Sequence, residues 1–523
     1  MKTGIQRNIY LIIMIIMIQT LSSCDDFLKR SSQNLIVPST VTHYKEILQG
    51  EGYFQSILAQ YASWMHMTDD MEYIDALTMP DKEDFWTNLV PYYRVEQFAE
   101  IYTWGADVEL TTFKDATYMY LYKQVMVANA CLEGLEEAEG SPTEREVLRG
   151  QAAFTRAFAY LLLANLYAKP YNKALPDDLC VPVKPTSTPV LDKYPRASIA
   201  EVWGLITSDI QTALDNLKDK NCERNVYEIS YPAALFLAAR IALYMEDWDK
   251  VIAYGEELRA SFPQYTLFGI TDKTTAGPRT EDPQLGRFKL VKFINNQNTE
   301  LIWGYDWSSS TYESQLYPTI TATFGMYYAP SSHGDNNLID TYSTGDRRKA
   351  YWFYPPTPGD NYPTLRYSYT TVKVENLPPA DEFFARFAFR ISEVYLTLAE
   401  AYVRKENPNK SEAIELLNSL RQKRFDPAVY TPLDEAGFSI ESLTEFVWDE
   451  RRRELCFEEL HRWWDLRRIP TAKQKPIVHR WTNNRSYTLH PGDDAYVLNF
   501  PQDELNYNGS VLVPNPRPNR QPD

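Results

Sequence analysis

Residues 445–468 read EFVWDERRRELCFEELHRWWDLRR, a run in which arginines, carboxylates and tryptophans recur at helical spacing. Cys456, Leu460, Trp463 and Trp464 fall at i, i+4, i+7 and i+8, one face of a helix. Asp449 with Arg453, and Glu458 with Arg462, stand at the i, i+4 spacing of intrahelical ion pairs. Taken alone, these residues describe a core-facing helix.

Outward from this run the chain repeats one pattern. Phe389 to Val403 and Glu412 to Arg424 read as two helices around a turn at Glu406-Asn407-Pro408. Tyr231-Pro232 to Leu243-Tyr244, followed by Asp247-Trp248 to Leu258, reads as another such pair. From about 113 to 260 helix follows helix. Thr143-Glu144-Arg145-Glu146 and Ser198-Ile199-Ala200-Glu201 both fit the capping box that starts a helix. After the first come Phe154, Ala157, Phe158, Leu161 and Leu162 at steps of three and four, and Ala168-Lys169-Pro170 ends that helix. A two-helix hairpin is too small to bury its own apolar face, so neighbours must stack. The segments look like degenerate tetratricopeptide repeats. The expected fold is therefore mainly α, a tetratricopeptide-like scaffold with helical blocks at about 113–260 and 387–468.

Two stretches break the pattern, about 64–112 and about 262–385. The second is rich in Thr, Ser, Pro, Gly, Asn and Tyr, with short apolar pieces such as Leu301-Ile302-Trp303. Long stretches without helical period are functional or carry small strands of their own. The tail from 470 onward reads as irregular and Pro-rich.

The first residues are an address. Lys2 and Arg7 form a positive n-region, Ile9 to Ile18 is apolar, and Leu21-Ser22-Ser23-Cys24 places small residues before a cysteine. The apolar run is too short to span a bilayer comfortably, so 1–23 reads as a signal peptide. Leu-Ser-Ser-Cys resembles a bacterial lipobox, which makes Cys24 the expected lipidation site and 24–523 the mature domain. Two acyl chains give the stable membrane attachment that one does not. Asp25 and Asp26 resemble the surface-export signal of some Gram-negative lipoproteins.

Composition excludes several classes. Of 523 residues 44% are hydrophobic, enough for a full-sized core. Against 53 Lys and Arg stand 70 Asp and Glu, a net charge of -17 that repels phosphate backbones, so no nucleic-acid partner is expected. Five cysteines make no disulfide framework and no Cys-x-x-Cys knuckle, and whether Cys131, Cys180, Cys222 or Cys456 pair stays open. The six histidines have no metal-ligand spacing, and no nucleophile elbow, zinc-protease motif, phosphate loop or EF-hand loop occurs. No cofactor is expected, calcium stays open, and the protein reads as a non-enzyme. The rival is a glycoside hydrolase with a carboxylate pair among Asp69, Asp70, Glu72, Asp75, Asp81, Glu83 and Asp84.

Glu450-Arg451-Arg452-Arg453-Glu454-Leu455 followed by Arg462-Trp463-Trp464-Asp465-Leu466-Arg467-Arg468 closely resembles the signature of the SusD/RagB family. Arg390-Ile391-Ser392-Glu393-Val394-Tyr395-Leu396 with Ala399-Glu400-Ala401, Leu417-Asn418 before Arg421, Arg156-Ala157-Phe158 before Leu166-Tyr167, and Phe500-Pro501 to Asn506 agree with it in order. These motifs are structural rather than ligand-contacting. The resemblance implies a SusD-like domain in an outer-membrane lipoprotein, facing the cell exterior. It would bind a glycan and deliver it to a TonB-dependent (SusC-like) transporter. The binding surface would be made by the irregular insertions, here the two loop-rich stretches.

Sugar binding needs flat apolar faces for the C–H side of each ring and fixed polar groups for its hydroxyls. The first stretch offers Trp64, Phe85, Trp86, Tyr92, Tyr93 and Trp104 beside Asp81 and Asp84. The second offers Trp307, Tyr312, Tyr317, Tyr327 and Tyr328, with Asp306 and Asn336 nearby. The candidate glycan-binding residues are Trp86, Asp81, Asp84, Trp104, Trp307 and Tyr327, with Trp86 and Trp307 as preferred platforms because polar residues flank them. Trp303, inside an apolar run, is assigned to the core, and His461 is read as a packed residue rather than a ligand.

Overall fold

The computed structural model describes residues 38–54, 62–75, 98–106, 115–188, 193–270, 294, 296, 298–308, 326–334, 337–356, 370–371, 384–481 and 485–523. In chain order these form α1 (Val41–Ile47), β1 (Met71–Asp75), α2 (Ala99–Tyr102), α3 (Thr117–Gly134), α4 (Pro142–Tyr167), α5 (Ile199–Leu217), α6 (Tyr231–Met245) and α7 (Trp248–Ser261). They continue with β2 (Leu301–Ser308), β3 (Met326–Pro330), α8 (Arg347–Trp352), β4 (Phe353–Tyr354), β5 (Thr370–Thr371) and β6 (Phe384–Arg390). The C-terminal part holds α9 (Ile391–Arg404), α10 (Lys410–Gln422), α11 (Ile440–Leu455), α12 (His461–Arg468), β7 (Ile477–Trp481), β8 (Arg485–Leu489) and α13 (Gln502–Asn508).

The fold is mainly α, and its helices stack as hairpins. α3 packs on α4, α4 on α5, α5 on α6 and α6 on α7. The stack then crosses the second insertion: α7 packs on α9, and α9 on α10 and α11. α6 is buried from Tyr231 through Tyr244, the all-round burial of a helix enclosed by others. Its small residues, Ala233, Ala234, Ala238, Ala239 and Ala242, give neighbours room to approach. At the α7–α9 crossing, Gly255 does the same; a Cβ there would lie 2.7 Å from Leu398 Cδ2.

Among the described residues, strands occur as four two-stranded antiparallel ribbons, β1–β3, β2–β6, β4–β5 and β7–β8. The β2–β6 ribbon lays Trp303 and Phe389 against α4. Trp303 is fully buried, edge-on to Phe154 and Phe389 with both ring centroids at 5.2 Å. Its assignment to the core holds.

Several local expectations give way. The long helix starts at Ser141, not Thr143: Ser141 accepts from Glu144 N, Glu144 reaches back, and Pro142 occupies the first turn, where it has no N–H to lose. The Ser198 box forms as read. Phe389 and Arg390 end a strand, and the helix after them begins at Ile391. The tail is not irregular throughout, since it carries β7, β8 and α13.

The largest departure is in the opening run, which is two helices. α11 stops at Leu455, and the corner before α12 places Phe457 (φ 60°) and Glu459 (φ 47°) in the left-handed region. Both expected i, i+4 pairs fail there. Asp449 faces solvent while Arg453 bonds Glu450; Glu458 pairs with Arg390, and Arg462 with Asp69.

Candidate functional site

The arginine-rich run is the foundation under the insertions. Glu450, Arg451, Arg452, Arg453 and Glu454 on α11 are all buried, which charges tolerate only when paired and hydrogen-bonded. Glu454 accepts from Arg424 at 2.9 and 2.7 Å, from Arg348 at 3.1 Å and from Arg390 at 3.3 Å. Burial pushes its carboxyl up, but Arg424, Arg390 and Arg348 outweigh that and hold it well below the usual carboxylate range. Arg390 also forks onto Glu458 at 2.8 and 2.6 Å and bonds Glu300 just before β2. Through α8, β2 and β6 the network fastens the second insertion to the scaffold.

The same run grips the first insertion. Arg462 of α12 forks onto Asp69 with both bonds at 2.7 Å, and Arg452 donates to Asp70 at 2.7 Å and to the Asp69 carbonyl at 3.0 Å. Burial raises Asp69, but Arg452 and Arg462 outweigh it and hold it below the usual range; at Asp70 burial prevails and its pKa is raised. These two residues lead directly into β1, so the pairs fix where that strand begins.

β1 then pairs with β3, and this ribbon joins the two insertions. Tyr73 stands opposite Tyr328, Ile74 opposite Tyr327, and Asp75 opposite Met326. The chain leaves β1 at Asp75 toward 76–97 and enters β3 at Met326 from 309–325, so both segments attach at one end of one ribbon. Glu72 adds a clamp, accepting from Ser332 Oγ at 2.7 Å and lying 3.0 Å from His333 Nδ1.

The base of the first insertion is closed by aromatic rings. Trp104 donates its indole N–H to the Met67 carbonyl at 2.9 Å. His479 of β7 is stacked between Tyr102 and Trp104, with centroids at 4.0 and 4.2 Å. Its Nδ1 lies 2.6 Å from the Tyr102 carbonyl and its Nε2 3.1 Å from that of Thr68, so whichever nitrogen carries the proton bonds this base. Burial pushes its pKa down to about 4 against those two bonds.

Two family models match this chain, one described as the SusD family over residues 300–519 and one as starch-binding associating with outer membrane over 26–243. The chain belongs to the SusD/RagB family. A SusD-like protein of Formosa agariphila is 22% identical over 544 residues, covering 96% of this chain and 97% of that one. A second from the same organism is 26% identical over 385 residues, 67% of this chain and 71% of its own length. Among solved structures, a SusD superfamily protein of Bacteroides thetaiotaomicron superposes with a TM-score of 0.69 at 18% identity, over 91% of this chain and 100% of that chain. A SusD-like carbohydrate binding protein of Bacteroides vulgatus gives 0.62 at 21% identity, over 90% and 97%. At those identities the superpositions speak for a shared fold.

On this SusD/RagB scaffold the candidate residues fall into three groups. Trp104 is a correction: it is 0% exposed, with both its N–H and a ring face committed to the insertion base, so it has no free face for a sugar. Trp64 packs likewise, fully buried with Nε1 3.4 Å from Thr117 Oγ1. Trp307 stands opposite Ala385 on the β2–β6 ribbon, and Tyr327 opposite Ile74 on β1–β3. Asp81, Asp84, Trp86 and Cys24 lie outside the described residues. Of the acidic group in the first insertion, Asp69, Asp70 and Glu72 are held by Arg462, Arg452 and His333. His461 is buried, as read. Cys131, Cys180 and Cys222 are free thiols, and Cys456 Sγ lies 3.6 Å from the Arg453 carbonyl. Among the described residues no helix is long and apolar enough to cross a membrane.

Sequence spacing missed His479 and the Asp69–Arg462 fork, each of which joins residues some 400 positions apart. A partial signal exists: Arg462, Arg467 and Arg468 of α12 outnumber its one acid, Asp465.

Proposed function

We propose that this protein is a cell-surface lipoprotein, anchored at Cys24, that captures an oligosaccharide or polysaccharide and hands it to a TonB-dependent outer-membrane transporter. The observation that carries the reading is the β1–β3 ribbon, which attaches both insertions at adjacent positions on a rigid helical-repeat body. The family model described as starch-binding associating with outer membrane, and the B. vulgatus relative named a carbohydrate binding protein, support a glycan as the ligand. Trp86 and Trp307 are the proposed ring platforms, with Tyr327 as a further ring and Asp81 and Asp84 as polar partners. The reading is of binding without cleavage, and it is supported by Asp69 and Asp70, the first carboxylates of the rival hydrolase reading, being occupied by arginines.

A lipid at Cys24 supplies attachment but no pore, so uptake needs a separate barrel. A polysaccharide panel run against the mature protein tests capture, with reducing ends measured in parallel. Binding without new reducing ends is expected; steady release of ends by hydrolase-free protein would establish the enzyme instead. Crosslinking in intact cells, then pull-down of a tagged copy, should recover a transporter barrel. Cys24→Ala should lose lipid labelling and leave the membrane fraction; a variant still firmly membrane-bound would remove the lipoprotein reading.

A further inference from the structure

The corner between α11 and α12 holds Phe457 and Glu459 in the left-handed region, which is strained for a residue with a Cβ. Side chains must hold it closed. Glu459 is fully buried and accepts from Arg240 of α6 at 2.8 and 3.1 Å. The same guanidinium forks onto Glu393 of α9 at 2.8 and 2.6 Å. Two buried carboxylates therefore share one cation. Beside them His461 is buried with neither ring nitrogen hydrogen-bonded; its Nε2 lies 3.4 Å from Glu393 and 3.8 Å from Glu459.

The other charged neighbours are committed to partners of their own. Arg451 donates to Asp465 and Thr397, Asp465 also accepts from Arg468, and Glu458 accepts from Arg390. Tyr244 of α6 and Tyr305 of β2 complete the surround and carry no charge at neutral pH. Arg240, Glu393, Glu459 and His461 are thus left with one negative charge too many unless a proton joins them. A surplus charge buried this deep is strongly unfavourable.

We propose that Glu459 and His461 form a buried proton-holding pair: folding takes the proton off the imidazole and lodges it on the carboxyl, so the corner closes without a surplus charge. His461 is followed directly by Arg462, so this corner sets the position of the fork that seats Asp69 and β1. The arrangement stands on the scaffold and is independent of the glycan reading. Burial raises Glu459 to about 7 over the pull of Arg240, with Glu393 adding to the rise, and burial lowers His461 well below its ordinary value.

The two shifts act on stability with opposite sign. A raised carboxyl contributes stability that is complete below its unfolded pKa and lost as pH rises through the folded one. A lowered imidazole contributes stability that is complete above its unfolded pKa and lost as pH falls. Between about pH 4.5 and 6.5 the two slopes cancel in the native sequence and are unmasked when either partner is removed. Thermal unfolding is measured across that window for the native protein, E459Q, H461N and the double variant. Relative to native, E459Q should gain stability as pH rises and H461N should lose it, each with a slope approaching about one proton. The double variant should run parallel to native. Single-variant curves parallel to native, or tilted the opposite way, overturn the proposal, and if one variant fails to fold the other decides.

Discussion

Glu454 sits fully buried among the guanidinium groups of Arg424, Arg390 and Arg348, and at the scale of single residues it is where the fold is most exposed to damage. Removing one member of such a network strands the others as unpaired buried charges. Glu454→Ala should therefore cost about 3–5 kcal/mol, measured by denaturant unfolding. A loss near zero would mean that the network is dispensable. His479 sets an acid limit by a different route. Its pKa is lowered by burial to about 4, so its contribution is complete above about 6.5 and disappears as pH falls through the folded value. His479→Gln should flatten the acid side of the stability curve below about pH 6; an acid limb unchanged from native would assign acid sensitivity to other groups. Residue identity revealed Trp303 as core because its neighbours in sequence are apolar. It did not reveal Trp104, whose packing partners, Met67 and His479, lie far along the chain on other elements. The same blindness produced a wrong ion pair: spacing sees Glu458 beside Arg462, whereas Glu458 pairs with Arg390 and Arg462 with Asp69, each on a distant element.

At the scale of elements, hairpins and caps were the legible part, since their signals are local. Ser198 caps α5 as its box foretells, and Ser198→Ala should cost about 1 kcal/mol by thermal unfolding. No measurable loss would show that the cap is redundant. At the long helix Thr143 fitted the motif, yet Ser141-Pro142 starts it two residues earlier, because proline is accepted in a first turn that needs no N–H. The break at Phe457 was hidden because its left-handed backbone is carried without glycine or proline, held instead by Arg240 and the charges around it. Close approach of α7 to α9 depends on Gly255. Gly255→Leu should force the two helices apart and cost about 1–3 kcal/mol, read as a lowered unfolding midpoint. An unchanged midpoint would show that the crossing has slack.

For the whole molecule, the division into scaffold and insertions was readable from composition, because helical periodicity stops where the insertions begin. How the insertions relate to one another was not. β1 and β3 come from different insertions, and nothing local in either strand names the other as partner. The molecule uses its most charged helices to hold both insertions to a stack of hairpins, and the proposed reading gives their ring-bearing residues the task of meeting the ligand. The central claim is that capture belongs to those insertions, and a ligand titration by calorimetry on three variants tests it most directly. With a polysaccharide that the native protein binds, Trp86→Ala and Trp307→Ala should each weaken affinity about 5- to 100-fold with little change in melting temperature, by analogy with ring stacking worth about 1–3 kcal/mol. Trp104→Ala should instead lower the melting temperature sharply, as loss of a buried staple requires. Native affinity in both platform variants, or a collapse of their stability like that of Trp104→Ala, would contradict the account.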